Sequence, residues 1–121
     1  MAYGSFCHIE LKTTDLGKTR SFYESIFGWS FQVIPGFESY AMFQTPDGLD
    51  GGFDAGPNAE PPSELGPILH IEVDDVDAAL RKIEQAGGST LAGKTKISDE
   101  FGYYALFRDN VGNRLGLWSK T

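Results

Sequence analysis

The sequence predicts an α+β fold made of two copies of one βαβββ module. Three observations carry that prediction. The run His8-Ile9-Glu10-Leu11 returns as His70-Ile71-Glu72-Val73. The helical pattern that follows each copy keeps a constant offset of sixty residues, Asp15 to Asp75 and Gly28 to Gly88. A self-match at a fixed period marks a repeated structural unit, and two copies make a paired module rather than a solenoid. After each helix come only strand and turn patterns, an order that reads as α+β.

Residues 6–12 read as the first strand. Side chains alternate across a strand, so Cys7, Ile9 and Leu11 share an apolar face and His8, Glu10 and Lys12 share the other. Asp15 is a helix N-cap, with Thr14 as the alternative. Leu16, Phe22, Tyr23, Ile26 and Phe27 form a helical apolar stripe, and Gly28 can take the positive φ of a C-cap. Residues 29–34 and 40–45 read as strands, the first ended by Pro35-Gly36 and the second by the turn sequence Pro46-Asp47-Gly48. Residues 51–54 make a weak fourth strand, whose paired glycines imply close approach of another group. Residues 55–67 hold four prolines and read as a semi-rigid connection. On this reading the chain is one domain: module one spans about 4–56, the linker about 57–66 and module two about 67–119.

The second module repeats the order. Residues 68–73 form a strand with Leu69, Ile71 and Val73 on one face and Ile68, His70 and Glu72 on the other. Asp75 opens a helix with Val76, Ala79, Leu80, Ile83 and Ala86 on one side, and Gly87-Gly88 ends it. Residues 89–91 and 94–97 lie in an irregular strand region. Residues 103–108 and 114–118 are strands joined by a turn at 109–113. The apolar strand faces should pack on the helices. The titratable faces then look away from them, and two modules facing each other would enclose a cleft.

Composition narrows the function. The chain has 121 residues, 40% of them hydrophobic, and carries nine Phe, five Tyr and two Trp, enough for a core. A net charge of −7 and a pI near 4.6 argue against a nucleic-acid partner, which needs a basic patch. One cysteine, Cys7, rules out an internal disulfide and suits a reducing compartment; its place on the apolar face predicts a small buried hydrophobe. No basic leader precedes an apolar run, and no run reaches the roughly 20 residues of a membrane span. A cytoplasmic location with no membrane partner is therefore expected. The acidic run Asp74-Asp75-Val76-Asp77 lacks the spacing of a calcium loop and reads as a helix cap with favourable dipole charges.

The repeated plan, the run His8-Ile9-Glu10-Leu11 through Asp15-Leu16, Phe22-Tyr23 and Phe27-Gly28-Trp29, and the closing Asp109-Asn110-Val111-Gly112-Asn113-Arg114-Leu115-Gly116-Leu117-Trp118 resemble the vicinal oxygen chelate superfamily. That group includes glyoxalase I, extradiol dioxygenases, fosfomycin resistance enzymes and bleomycin-binding proteins. The resemblance implies a cup-like, half-open mixed β-barrel, usually in a homodimer. It also implies a divalent metal on ligands from the first and last strands of each module. His8 falls at the first ligand position. The others fall at Gly51-Gly52, at Ile68 and at Leu115-Gly116-Leu117, where no side chain can coordinate.

His8, Glu10, His70 and Glu72 are the catalytic and ligand-binding candidates, because imidazole and carboxylate on one face can move protons. Gly52 and Gly116 are expected to widen an apolar pocket at the lost ligand positions. Trp118, on the face of Gly116, would fill that volume or stack on a planar ligand. Lys12 and Arg114 read as solvated, with anion binding as the alternative. The expected function is a glyoxalase-like protein that binds a small organic ligand between its modules, as a homodimer, with no cofactor and without the usual metal. One alternative is a metal-dependent lyase or isomerase with a displaced site on His8 and His70, joined by Glu10 or Glu72. A second is a non-catalytic dimeric interaction module.

Overall fold

The computed structural model describes residues 3–4, 6–46, 48–56 and 66–121. The chain divides into two compact units, Met1–Pro61 and Pro62–Thr121. The linker expected over about 57–66 lies outside the described residues except for Gly66, as does Asp47 of the turn after the third strand.

Unit one runs β1 (Ile9–Lys12), α1 (Leu16–Phe27), β2 (Ser30–Val33), β3 (Tyr40–Gln44) and β4 (Gly51–Asp54). Its sheet has the order β1-β4-β3-β2, with β1 and β4 parallel and the other pairs antiparallel. Asp15 caps α1, its carboxylate accepting from the Lys18 N–H at 3.1 Å, which satisfies a helix-end donor that has no partner within the helix. Gly28 closes the helix at φ 70°, the left-handed conformation glycine adopts without strain. The core is aromatic. Tyr23 stacks on Trp29 with centroids 4.6 Å apart, Trp29 stacks on Phe43 at 4.6 Å, and Phe53 lies 5.2 Å from Tyr23. Phe22, Tyr23, Phe43 and Phe53 are buried.

Unit two repeats the plan with β5 (His70–Glu72), α2 (Val76–Gln85), β6 (Ser89–Ser98), β7 (Gly102–Arg108) and β8 (Arg114–Ser119), in the sheet order β5-β8-β7-β6. Asp75 caps α2 through the Ala78 N–H at 3.0 Å. The helix stops one residue before the expected glycines, with Ala86 as C-cap, while the Gly88 N–H returns to the Ile83 carbonyl at 2.9 Å. The core here is aliphatic around one ring: Val76, Leu80, Ile83, Phe107, Leu115 and Leu117 are buried. The irregular region is one strand, β6, with register shifts at Thr90/Ala92, Ala92/Thr95 and Lys96/Ser98.

Two expectations fail at the start of the chain. Residues 6–8 do not extend β1, and Cys7 is exposed rather than buried. The register gives the reason. β4 begins at Gly51 opposite Ile9, and the Ile9 N–H is held by the Asp50 carbonyl at 3.2 Å. Before that point the parallel strand offers no ladder to pair with. Phe6 is likewise left exposed.

Candidate functional site

Each sheet has one face on its helix and one face away from it. In unit one the register sets Glu10 opposite Gly52, Lys12 opposite Asp54, Tyr40 opposite Asp54 and Met42 opposite Gly52. These side chains share the face away from the helix, because Leu11, Phe53 and Ala41 form the helix-side row. Just before β1, His8 turns its Nε2 to the Tyr40 hydroxyl at 2.6 Å. Lys12 bridges two carboxylates, donating to Glu10 at 3.0 Å and to Asp54 at 3.1 Å. The result is one polar network across three strands, in which Lys12 keeps part of the exposure the sequence suggested and adds two ion pairs.

Its electrostatics follow from these contacts. Burial raises the Tyr40 pKa above the ordinary phenol value, and the nearby negative charge and hydrogen bonding of Glu10 add to that. The phenol therefore stays protonated across neutral pH. It can donate to His8 Nε2 or to a ligand oxygen. Lys12 is raised by its hydrogen bonds to Glu10 and Asp54. Asp54 is lowered, first by the Gly56 backbone N–H and then by Lys12.

Tyr40 also accounts for Gly52. A Cβ built at Gly52 would lie 2.2 Å from the Tyr40 ring. The volume above this glycine is thus filled, contrary to the expectation of a widened pocket there. A ring covering a strand glycine replaces contacts the missing side chain cannot make.

Unit two has a parallel arrangement. His70 lies opposite Gly116, and a Cβ at Gly116 would come 2.4 Å from the His70 ring. Glu72 lies opposite Trp118, Trp118 opposite Tyr104, and Arg114 opposite Arg108. Tyr104, not Tyr103, therefore shares the face of Trp118; Tyr103 sits under the Lys94 ammonium, 4.5 Å from its ring centroid. The Trp118 indole N–H donates to the Phe101 carbonyl at 2.6 Å, which fixes the ring. Sequence reasoning missed Tyr40, Asp54 and Arg108, and it left open which of Tyr103 and Tyr104 shares the face of Trp118. An aromatic residue on a strand was visible at Tyr40, but its place over Gly52 follows from the pairing of β3 with β4.

The usual metal set does not fit these residues. The Nε2 of His8 faces a phenol, Gly52 and Gly116 lie under rings, and Ile68 has no donor atom. Within neither unit do three or more His, Cys, Asp or Glu side chains among the described residues form a group able to hold a metal ion. No helix among the described residues is long and apolar enough to cross a membrane.

Comparison with known proteins agrees with this architecture. Residues 5–117 match the Glyoxalase/Bleomycin resistance protein/Dioxygenase superfamily. CFP32 of Mycobacterium tuberculosis, named provisionally as a glyoxylase, is 32% identical over 114 residues, covering 91% of this chain and 43% of its own length. The chain thus spans less than half of that relative. Among solved structures, the antibiotic-binding protein TnmS3 of Streptomyces sp. CB03234 has a TM-score of 0.75 at 24% identity, covering 100% of this chain and 99% of its own. A mutant of the fosfomycin resistance protein FosX of Listeria monocytogenes, complexed with Mn(II) and a dihydroxypropylphosphonic acid, has a TM-score of 0.76 at 20% identity, covering 99% and 93%. Likeness at this identity establishes the fold.

Proposed function

The chain belongs to the Glyoxalase/Bleomycin resistance protein/Dioxygenase superfamily, and from that footing we propose that it takes up a small organic ligand without the usual divalent metal. It would serve as a sequestering or accessory protein. Each module offers its own sheet face for such a ligand, the first with His8, Glu10 and Tyr40 beside Gly52 and the second with His70, Glu72 and Trp118. One observation carries the reading: the Tyr40 ring covers Gly52 while its hydroxyl engages the Nε2 of His8. The His70 ring over Gly116 supports it from the second module. The likeness to an antibiotic-binding protein of nearly equal extent supports uptake of an organic molecule.

The working form is a homodimer, for which the exposed Phe6, Phe37 and Phe101 supply apolar surface. A cytoplasmic placement belongs to the same reading, since a lone cysteine has no internal disulfide to form. Sedimentation velocity should give twice the monomer mass.

The decisive experiment pairs elemental analysis with a thermal-shift panel of small aromatic and polyketide-like compounds. Purified protein should carry no stoichiometric Mn, Fe, Ni or Zn. At least one compound should raise the melting temperature by mass action, with or without chelator. Stoichiometric metal that disappears in a His8→Ala/His70→Ala variant would instead establish the displaced metal site, and activity on methylglyoxal with glutathione would then identify a lyase.

A further inference from the structure

We propose that the open face of the second sheet is a seat for an aromatic ligand carrying an anionic group, with the acid held at Arg114 beside Arg108 and the ring against Trp118 and Tyr104. This deepens the ligand-binding reading above and rests on it, because it names the ligand's chemistry.

The strand register supplies the argument. Arg108 and Arg114 are direct cross-strand partners, so their side chains leave the sheet on the same face. Like charges in that position repel one another. Arg108 donates to the Gly112 carbonyl at 3.1 Å, which ties it to the turn it flanks. The Arg114 side chain has no hydrogen-bond or ion-pair partner among the described residues, although it is half-buried. An anion placed against this pair would relieve the repulsion and satisfy a guanidinium whose fork matches a carboxylate, sulfonate or phosphate.

The position is unusual for this chain. The net charge is −7, so the molecule as a whole disfavours anions. Two guanidinium groups in one row of one sheet face run against that field.

Two rows along the same face lie Trp118 and Tyr104, which are cross-strand partners and half-buried. Four residues of strand separate Arg114 from Trp118, about 13 Å at the usual rise. An extended arginine spans roughly half of that distance. Between them, His70 and Leu106 line the row of Gly116. A ligand with a bicyclic or tricyclic body and an acid at one end has suitable dimensions. A neutral ligand would leave Arg114 without a partner.

The test uses two fluorescent probes that differ by one group, 1-anilinonaphthalene-8-sulfonate and the uncharged N-phenyl-1-naphthylamine, titrated into the full chain. The sulfonate should bind more tightly, with a preference that shrinks as salt is raised. Arg114→Gln should weaken the sulfonate about tenfold and leave the uncharged probe unchanged. Arg114→Lys should retain part of the preference as a point charge. Trp118→Leu should weaken both probes. Thermal melts of each variant verify that the probes report on folded protein. If the uncharged probe binds as well as the sulfonate, or Arg114→Gln leaves their ratio unchanged, the anionic seat is overturned while ligand binding stands. If neither probe binds and the thermal-shift panel is also blank, both proposals fall together.

Discussion

Tyr40 does two things at once: its ring covers Gly52, and its hydroxyl meets His8. The two can be separated by substitution. Tyr40→Phe keeps the cover and removes the hydroxyl. It should cost about 1 kcal/mol in urea unfolding, the net worth of one hydrogen bond. It should also remove one high-titrating tyrosine from an absorbance titration at 295 nm, because burial and Glu10 raise the Tyr40 pKa. The neighbouring glycines respond to different obstacles. Gly52→Ala meets the outer atoms of the Tyr40 side chain, which can swing aside, and should cost roughly 1 kcal/mol. Gly51→Ala meets the Ile9 backbone carbonyl at 2.1 Å and the Phe43 ring at 2.6 Å, and should cost about 3 kcal/mol or prevent folding. Individual positions were the least legible part of the sequence. His8, Glu10, His70 and Glu72 could be assigned to strand faces from alternation. What covers a glycine depends on the neighbouring strand, and no local pattern around Gly52 or Gly116 reports that.

At the level of elements, local chemistry was explicit. Asp15 and Asp75 accept from the N–H three residues on, as their positions before an apolar helical stripe require. Asp15→Ala and Asp75→Ala should each lower stability by about 1 kcal/mol, measured as a shift in the urea midpoint. Because the caps sit in separate compact units, the double variant should show the sum of the two losses. Strand existence was legible and strand length less so. Residues 6–8 have the alternation of a strand, yet a strand ends where its partner's ladder ends, here at the Ile9–Gly51 pair. Cys7 reads as buried only if the ladder continues, and for that reason its exposure could not be seen in the chain alone.

For the molecule as a whole, the ion cluster on the first sheet contributes to the pH response at both ends of the scale. Lys12 and Tyr40 titrate higher folded than unfolded, so their contributions are complete below about pH 10 and are lost as pH rises through the folded values. Asp54 titrates lower folded than unfolded. Its contribution is present above about pH 4 and is lost as pH falls through the folded value. Lys12→Met should therefore remove the Lys12 part of the alkaline limb of a plot of urea midpoint against pH and weaken the acid limb only in part, because the Gly56 N–H still holds Asp54 down. The duplicated plan was readable because both copies keep the same caps and the same alternation. The arrangement of β6 (Ser89–Ser98) has a further consequence. It is an outer strand of its sheet, broken by three register shifts and bearing Lys94 and Lys96. A flat, uncharged border would recruit strands from other molecules and seed fibrils, whereas a kinked and cationic one makes a poor template.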